Sequence, residues 1–428
     1  MTTKITDKNI SELANAGVNW QSVFTGDGST GLTAVAGRGY FIDTTSGTVT
    51  VTLPASPSAG DVVVLKDYAR TWFTNNVTTA SALVDGVTAS STFSTNGQTV
   101  TLVYMDSTKG WSLVNEDTTT NIGATFITAT GGTVTTSGDF KIHTFTGDGS
   151  FVVSSLGNLP ASQSTVDYMV IAGGGSGGDG CSGGGGGGAG GFRESKDSTL
   201  SSPHTASPLA ASTGLTVTTT TYPVTVGGGA SGVTNPNVGT AGSNSVFSTI
   251  TSAGGGGGGK WPSGGGSSGG SGGGSATTCG TGNAGNTPPT SPPQGNAGGN
   301  LGYWQMAGGG GAGAAGTPGH ATGGTGSESC SVRACKGCGG AGVTTSISGS
   351  SIAYAGGGGG GNSSWCAVDN FAQGGTGGGG AGGGPSPSTG GTSGTSNTGG
   401  GGGGNPGKPG NTSGAGGKGI VIIRYKYQ

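Results

Sequence analysis

The stretch Gly-Gly-Gly-Gly-Gly-Gly-Ala-Gly-Gly at residues 183–191 decides how this chain must fold. Similar runs return at residues 254–259 and 356–361, and residues 172–428 contain 87 of the 105 glycines. No strict Gly-X-Y period connects the runs, which excludes a collagen triple helix. Inserts rich in Ser, Thr, Asn and Pro separate them instead, so the glycine block alternates between bare backbone and polar connections.

Two apolar segments frame this block, at residues 168–172 before it and 420–425 after it. Both are rich in the β-branched and aromatic residues that favour strands. We expect these two strands to be neighbours in one sheet, so that the ends of the block meet. Glycine-rich composition alone would indicate disorder, but a structureless loop of this length inside a compact unit is improbable. We therefore predict that the block is folded.

Polyglycine can fold without a hydrophobic core by packing extended helices side by side. Such a helix has three residues per turn and no internal hydrogen bonds, so its N–H and C=O groups point outwards. Without Cβ atoms, neighbouring helices approach closely and satisfy each other's backbone groups. The predicted fold class is a mainly β N-terminal region followed by a glycine-rich domain of packed polyglycine II helices framed by β-strands, with almost no α-helix.

The sequence predicts four segments. Residues 1–17 are expected to form an N-terminal attachment segment with a short helix capped by Asp7. Residues 18–117 predict a small all-β domain, because strictly alternating stretches such as 48–53 and 99–104 lie between Gly, Pro and Asn clusters. Residues 118–123 form a linker. Residues 124–428 form the glycine-rich domain, with framing strands within 124–172 and 419–428.

The overall composition excludes several functional classes. Charged residues make up only 8% of the chain and the net charge is −2, so no basic patch indicates nucleic-acid binding. No apolar run reaches the length of a membrane span. The N-terminus lacks the apolar segment of a signal peptide. A virion protein that is assembled in the cytoplasm and released by lysis would need no such signal.

Residues 172–428 contain few groups suited to catalysis. Only five of their side chains are acidic: Asp179, Glu194, Asp197, Glu328 and Asp369. Glu194 and Asp197 could supply the two carboxylates of a glycosidase, but basic neighbours indicate a solvated charged loop. His143 alternates with Ile142 in a predicted strand, where an exposed structural role is expected. No nucleophile motif frames a Ser/His/Asp triad. We therefore predict no enzymatic activity and no cofactor.

All six cysteines lie inside the glycine block, and an even number in a domain with little core suggests disulfides, although free thiols remain an alternative. The disulfide candidates are Cys181, Cys279, Cys330, Cys335, Cys338 and Cys366. A zinc site at residues 335–338 would need a second Cys-x-x-Cys or His pair, which the sequence lacks. No metal site is predicted.

Aromatic residues in the block have two interpretations. Tyr222 and Phe247 flank β-like runs and are assigned to packing. Others stand in inserts among glycine and polar residues, where flat rings with a polar edge suit contacts to sugars or surface polymers. These candidate receptor-binding residues are Trp261, Tyr303, Trp304, Trp365 and Phe371. For each of them, packing over the glycine layers is the alternative.

The two framing segments resemble those of a known family. Tyr-Met-Val-Ile-Ala-Gly-Gly-Gly at residues 168–175 and Gly-Lys-Gly-Ile-Val-Ile-Ile-Arg-Tyr at residues 417–425 are similar to the glycine-rich domain of tailed-bacteriophage fibre and adhesin proteins. The resemblance covers residues 124–428. It implies a layered sandwich of polyglycine helices whose tip loops recognise the bacterial surface.

This resemblance implies a virion fibre or adhesin, exposed on the particle surface. The N-terminal region would attach to other tail or capsid proteins, and the glycine-rich loops would bind a surface glycan or outer-membrane receptor without catalysis. A homotrimer is the family's usual state. Two alternatives remain open: a short structural fibre or capsid decoration protein without a receptor, and a surface-glycan depolymerase.

Overall fold

The computed structural model of the chain describes residues 18–114, 126–157, 164–277, 280–300, 306–319, 337–362, 372–385 and 388–427. Over these ranges the fold is mainly β, and Ser198–Leu200 form a 3-10 turn. The predicted predominance of strands over α-helix is confirmed. The predicted attachment segment with its predicted short helix, and the predicted linker, lie outside the described residues. The chain divides into two compact units, residues 1–125 and 126–428.

The first unit contains twelve short strands. They are β1 (Asn19–Trp20), β2 (Phe24–Thr25), β3 (Leu32–Thr33), β4 (Arg38–Asp43), β5 (Val49–Thr52), β6 (Val62–Asp67), β7 (Val77–Thr79), β8 (Ala82–Val84), β9 (Val87–Ala89), β10 (Thr92–Phe93), β11 (Thr99–Asp106) and β12 (Gly110–Leu113). Eight of them form one sheet in the order β1-β4-β6-β11-β12-β8-β9, with β2 also paired to β4. The other four form a sheet in the order β10-β7-β5-β3.

Alternating side chains build the core of this unit. In β5, Val49 and Val51 are buried whereas the threonines between and after them are exposed, because successive side chains of a strand point to opposite faces. Residues of both sheets share one cluster, among them Leu65 of the eight-stranded sheet and Val51 of the four-stranded sheet. The alternation noted in the sequence thus places one face of each sheet in a common core.

The second unit contains sixteen strands. They are β13 (Thr128–Thr130), β14 (Thr133–Ser137), β15 (Phe140–Phe145), β16 (Gly149–Ser155), β17 (Thr165–Ile171), β18 (Phe192–Ser195), β19 (Ala210–Ala211), β20 (Leu215–Thr216), β21 (Thr221–Thr225), β22 (Ser245–Phe247), β23 (Ile250–Ser252), β24 (Val343–Thr345), β25 (Ile352–Tyr354), β26 (Gly384–Pro385), β27 (Ser388–Thr389) and β28 (Ile420–Lys426).

The two framing strands pair directly. β17 and β28 are antiparallel neighbours, with Ile171 opposite Ile420. They lie inside a seven-stranded sheet of order β14-β15-β28-β17-β18-β19, in which β20 also pairs with β17. The predicted pairing of the frame is therefore confirmed, and the glycine block between the strands begins and ends at one place.

Aromatic rings fill the core between this sheet and a five-stranded sheet of order β13-β16-β21-β22-β23. Phe151 is fully buried and contacts the rings of Phe247 and Tyr222 with centroids 6.0 and 6.5 Å away. The predicted packing role of Tyr222 and Phe247 is confirmed. Edge-to-face and tilted contacts of this kind add to the burial of apolar area.

His143 lies in the same core, so its expected exposure is wrong. Its side chain is completely buried, with Nδ1 2.7 Å from the carbonyl oxygen of Gly131 and Nε2 3.1 Å from the hydroxyl of Tyr425. The reason is that β15 is an interior strand of its sheet, and both faces of that strand are covered. Burial lowers the pKa of the His143 imidazole.

A central glycine helix, residues 184–191, donates its backbone N–H groups to three neighbouring segments in strict rotation. The bonds are 2.8–3.0 Å long. From Gly185 onwards the acceptors are the carbonyl oxygens of Gly259, Ala307, Gly402, Gly256, Gly310, Gly399 and Ala253. Every third residue therefore returns to the same neighbour, which is the signature of a helix with three residues per turn.

The carbonyl oxygens of this helix bond three further segments. From Gly185 onwards they accept from the N–H groups of Gly178, Gly274, Gly358, Gly175 and Ser271. The six neighbours are residues 172–178, 253–259, 271–274, 307–310, 356–361 and 399–405. Residues 183–191 are all buried. The predicted lateral bonding of glycine helices is thus confirmed, because every neighbour is itself part of the glycine block.

This packing leaves no room for side chains at the centre. A Cβ atom on Gly187 would overlap the carbonyl group of Gly175, and one on Gly186 would overlap that of Gly358. A Cβ on Gly228, by contrast, would meet no atom within 4 Å. Glycine is therefore required at the centre of the stack, where the backbones approach closely. Some outer positions, such as Gly228, have room for a side chain.

Candidate functional site

The glycine helices run between two ends of the second unit. Residues 172–178 continue from β17, turn at residues 179–183, and return as residues 184–191 to β18. We call the end at these strands the strand end and the opposite end the far end. At the far end Asp179 N–H donates to the carbonyl oxygen of Asn237 (2.9 Å). The turns of separate segments therefore meet there.

Three inserts that carry predicted site residues leave the block at the far end. The residues that flank them are Asn300 and Met306, Gly319 and Gly337, and Asn362 and Ala372. Met306 N–H donates to the carbonyl oxygen of Gly361 (3.4 Å), and Gly361 N–H to that of Gly184 (2.8 Å) at the far-end turn. Asn300 accepts from the N–H group of Gly319 (3.0 Å). The points of departure are thus adjacent.

Most of the predicted site residues are in these inserts or beside them. Those outside the described residues are Tyr303, Trp304, Trp365, Phe371, Cys279, Cys330, Cys335 and Cys366. The described candidates are Trp261, Cys181 and Cys338. All three of these belong to the far end.

Trp261 is partly buried in the far-end loop that follows residues 253–259. Its N–H group donates to the carbonyl oxygen of Gly183 (3.2 Å), and its backbone lies against Gly180, where a Cβ would overlap it. Beside it, the Lys260 ammonium donates to the carbonyl oxygen of Pro236 (3.1 Å). One backbone and one side-chain hydrogen bond therefore join this loop to two other turns, and Trp261 stays partly exposed.

The two described cysteines are in different chemical states. Cys181 is an exposed free thiol. Cys338 is disulfide-bonded, and its Sγ accepts the N–H group of Gln373 at 3.2 Å. A disulfide thus lies at the far end, where residues 337–342 begin.

Asp179 ties the far-end turns together. Its side chain is fully buried, and its Oδ2 accepts from the Asn405 Nδ2 at 2.7 Å. Burial raises the pKa of this carboxyl. The pair joins the end of residues 172–178 to the end of residues 399–405, so the far end is held by side chains as well as by backbone bonds.

A buried polar cluster lies at the strand end. Asp167 on β17, Glu194 on β18, Arg424 on β28 and His204 are between 0% and 3% exposed. Asp167 and Arg424 are directly opposite each other in the antiparallel pair. The Arg424 guanidinium donates to the carbonyl oxygen of Ile347 (3.2 Å). Four ionisable groups therefore share one small region under the loop that follows β18.

The carboxylates of this cluster hold that loop in place. Asp167 Oδ1 accepts the N–H group of Asp197 (2.7 Å), and Glu194 accepts the N–H group of Ser207 (2.9 Å) and the hydroxyl of Thr345. The Lys196 ammonium donates to the carbonyl oxygen of His204. The interpretation of Glu194 as part of a solvated loop is wrong, because its carboxylate is buried and accepts from the Ser207 N–H group and the Thr345 hydroxyl.

Burial shifts the ionisation of these groups in opposite directions. Removal from water raises the pKa of Asp167 to about 7. The hydrogen bond from the Asp197 N–H group and the charge of Arg424 oppose this shift, whereas the negative charges of Asp197 and Glu194 add to it. Removal from water lowers the pKa of His204 to about 4, with Arg424 and Lys196 adding to the shift. Both shifts favour the neutral form, as expected for low-dielectric surroundings.

Ser202, His204 and Asp167 resemble a catalytic triad in composition but not in geometry. The Ser202 hydroxyl is 2.7 Å and the Asp167 Oδ2 is 4.0 Å from the same atom, His204 Nδ1. In a triad the serine and the carboxylate occupy opposite ring nitrogens, so that one orients the ring while the other nitrogen takes the proton. This cluster therefore has the arrangement of a structural network.

The described ranges contain no group of three His, Cys, Asp or Glu side chains that could hold a metal ion. Nor is any helix in the described part of the chain long and apolar enough to cross a membrane.

A family model described as a glycine-rich domain matches residues 153–426, more than half of the chain. The chain belongs to this glycine-rich domain family. The match begins within β16 and ends at the last residue of β28. The glycine-rich domain therefore includes both framing strands and every glycine helix, and the first unit lies outside it. A comparison with curated proteins finds no match to the chain.

Sequence reasoning missed two features of this glycine-rich domain. The bond between Asp179 and Asn405 joins residues far apart in sequence, and only the shared far end brings them together. The strand-end cluster had one available signal: Asp167 and Arg424 interrupt the two apolar framing strands. A charged residue inside each of two paired strands predicts a buried interaction between them.

Proposed function

We propose that this chain is a virion fibre or adhesin protein of a tailed phage, which binds the bacterial surface without catalysis. Host recognition takes place at the far end of the glycine helices, through Trp261 and the inserts at residues 301–305, 320–336 and 363–371. The ligand class is a surface glycan or an outer-membrane receptor. The first unit attaches the chain to other virion proteins.

One observation carries this proposal: the three inserts depart from one end of a body whose interior is bare backbone. A glycine helix bonded to six neighbours has no side chains with which to bind or react. Chemical variety is left to the connections, and those at the far end contain most of the block's tryptophans and cysteines. Recognition loops on a rigid scaffold are a common arrangement, because the scaffold tolerates changes in loop sequence.

The resemblance to phage fibre and adhesin proteins indicates that the ligand is on the bacterial surface. A body that carries its inserts at one end, in a chain that also contains a separate β unit, suits an attachment protein. Aromatic side chains in such loops are favoured anchors, because they bury much area with few rotatable bonds.

Adsorption of the labelled full chain to a panel of bacterial strains tests this function. On a strain that binds the wild type, we expect Trp261→Ala to weaken adsorption about tenfold or more, as for a binding anchor. Ile352→Ala is the matched control, because Ile352 is an exposed apolar side chain at the strand end (40% exposed). It should leave adsorption unchanged.

Both variants must keep the thermal midpoint of the wild type for the comparison to count. Equal adsorption of Trp261→Ala and wild type would remove this tryptophan from the site. If the wild type adsorbs to none of the strains in a broad panel, the proposed function is contradicted. Release of new reducing ends from purified surface polysaccharide would contradict its non-catalytic nature.

A further inference from the structure

β14 is an edge strand with an unusual degree of exposure. It forms one edge of the seven-stranded sheet, and among the residues that the structure describes it pairs only with β15. Its sequence is Thr-Val-Thr-Thr-Ser, and the first four of its residues are exposed, on both faces of the strand. Val134 is 46% exposed. The strand has no charge, proline or bulge, which are the usual means of preventing an edge from pairing with another chain.

The other edge strands in the described part of the chain are too short to pair readily with another chain. Every other strand that ends a sheet is two or three residues long, whereas β14 has five residues. At the opposite edge of the same sheet, β19 has only two residues. Short edge strands offer too few backbone groups to be extended. β14 is the exception, and its exposed backbone is available to a partner strand.

The hairpin register shows which backbone groups β14 offers. Ser137 and Phe140 are opposite each other across a two-residue turn, so they form a hydrogen-bonded pair, and such pairs alternate along the hairpin. Thr133, Thr135 and Ser137 therefore point their backbone groups at β15. The N–H and C=O groups of Val134 and Thr136 point away from the sheet.

We propose that β14 pairs antiparallel with β14 of a second copy of this chain, about a twofold axis at Thr135. In this register Val134 of one copy lies opposite Thr136 of the other, and each such pair exchanges both of its N–H···O bonds. The two seven-stranded sheets become one continuous sheet. This interaction goes beyond the proposed function and does not depend on it.

The strand is self-complementary in this register. Thr135 lies opposite its own copy, and Thr133 lies opposite Ser137, so these cross-strand pairs are hydroxyl side chains that pair favourably. Just beyond the strand, Gly132 lies opposite Gly138, where no side chain obstructs the approach. No two like charges are brought together. A twofold contact uses the same patch on both copies and closes on itself, so both edges are covered and no filament grows.

Sedimentation of the full chain tests the association. Because the interface is small, we expect the mass to rise from one chain to two between about 1 and 100 µM. Thr136→Lys, which places a charge on the edge, should hold the chain at one copy over this range. Thr88→Lys makes the same change at an exposed threonine of β9, a short edge strand of the first unit, and should associate as the wild type does.

A cysteine scan tests the register, in a Cys181→Ser background that removes the exposed free thiol. Thr135→Cys should form a disulfide-linked pair on mild oxidation, because residues directly opposite in this register have Cβ atoms about 4.5–5.5 Å apart. Val134→Cys should not, because its own copy is diagonal to it at about 7–8 Å.

A wild-type mass of one chain at every concentration would overturn the proposal. A mass of three chains that Thr136→Lys leaves unchanged would overturn it too, since it would place the interface elsewhere. Equal cross-linking of Thr135→Cys and Val134→Cys would contradict the proposed register.

Discussion

Gly187→Ala is expected to lower the free energy of unfolding of the glycine-rich unit by about 3 kcal/mol or more. Gly187 lies in the central glycine helix, and a Cβ there would overlap the carbonyl group of Gly175. Neither backbone can retreat, because each is hydrogen-bonded to several neighbours on other sides. Relief of the clash must therefore break lateral bonds and leave buried backbone groups unsatisfied. Urea or thermal unfolding of the purified variant measures the loss.

Gly228→Ala is the matched control, with the same substitution in the same glycine block. Gly228 is exposed, and a Cβ would meet nothing within 4 Å. Removal of glycine's freedom in the unfolded chain should then stabilise the unit by about 0.4–1 kcal/mol. The two substitutions thus have opposite expected signs. Equal, small effects of both would show that the central helix is not packed as described.

The second prediction concerns the pH dependence of stability set by Asp167 and His204. Between about pH 4 and pH 6.5 the folded state keeps a proton on Asp167, whose pKa is raised to about 7, and none on His204, whose pKa is lowered to about 4. The unfolded state does the reverse. Since both states bind one proton at this pair, its contributions to the pH slope cancel in the wild type.

Removal of either partner should expose the slope of the other. In Asp167→Asn the unfolded state binds one proton more, so stability should fall as the pH drops from 6.5 to 4.5, by up to about 2–3 kcal/mol relative to wild type. In His204→Gln the folded state binds one more, so stability should fall by a similar amount as the pH rises over the same range. Midpoints of urea unfolding at several pH values measure both curves.

The charged groups that face the pair are Glu194, Lys196, Asp197 and Arg424. They are present in the wild type and in both variants, so the comparison with wild type subtracts their contribution. After subtraction of the wild-type curve, the free energy of unfolding should change with pH in opposite directions in the two variants. A change in the same direction would contradict the opposite ionisation of Asp167 and His204. A parallel shift of both curves, with no change in slope, would mean that neither group changes its pKa on folding.

Much of this fold could be predicted from the sequence because its cause is local. The glycine runs leave no room for a side-chain core inside the helix stack, and the apolar segments at residues 168–172 and 420–425 pair as expected. His143 and Glu194 were misjudged for one reason. Their exposure depends on which elements cover β15 and β18, and that is decided by residues far away in the sequence.

The candidate site was predictable in composition but not in position. The sequence identified Trp261 and the insert aromatics by their unusual surroundings. It could not show that separate inserts leave the block at one end, since the direction of each glycine helix depends on its lateral neighbours. Three identical glycine residues have three different neighbours, as at Gly185, Gly186 and Gly187, and nothing in the residues themselves distinguishes these environments.

Amide hydrogen exchange of the full chain, followed by mass spectrometry, tests most directly whether bare backbones bonded sideways form a rigid body. Peptides covering residues 172–178 and 184–191 should exchange only over hours to days, with protection close to that of global unfolding. Complete exchange of these peptides within minutes, at a pH and temperature where β17 and β28 stay protected, would show that the block is a flexible tether.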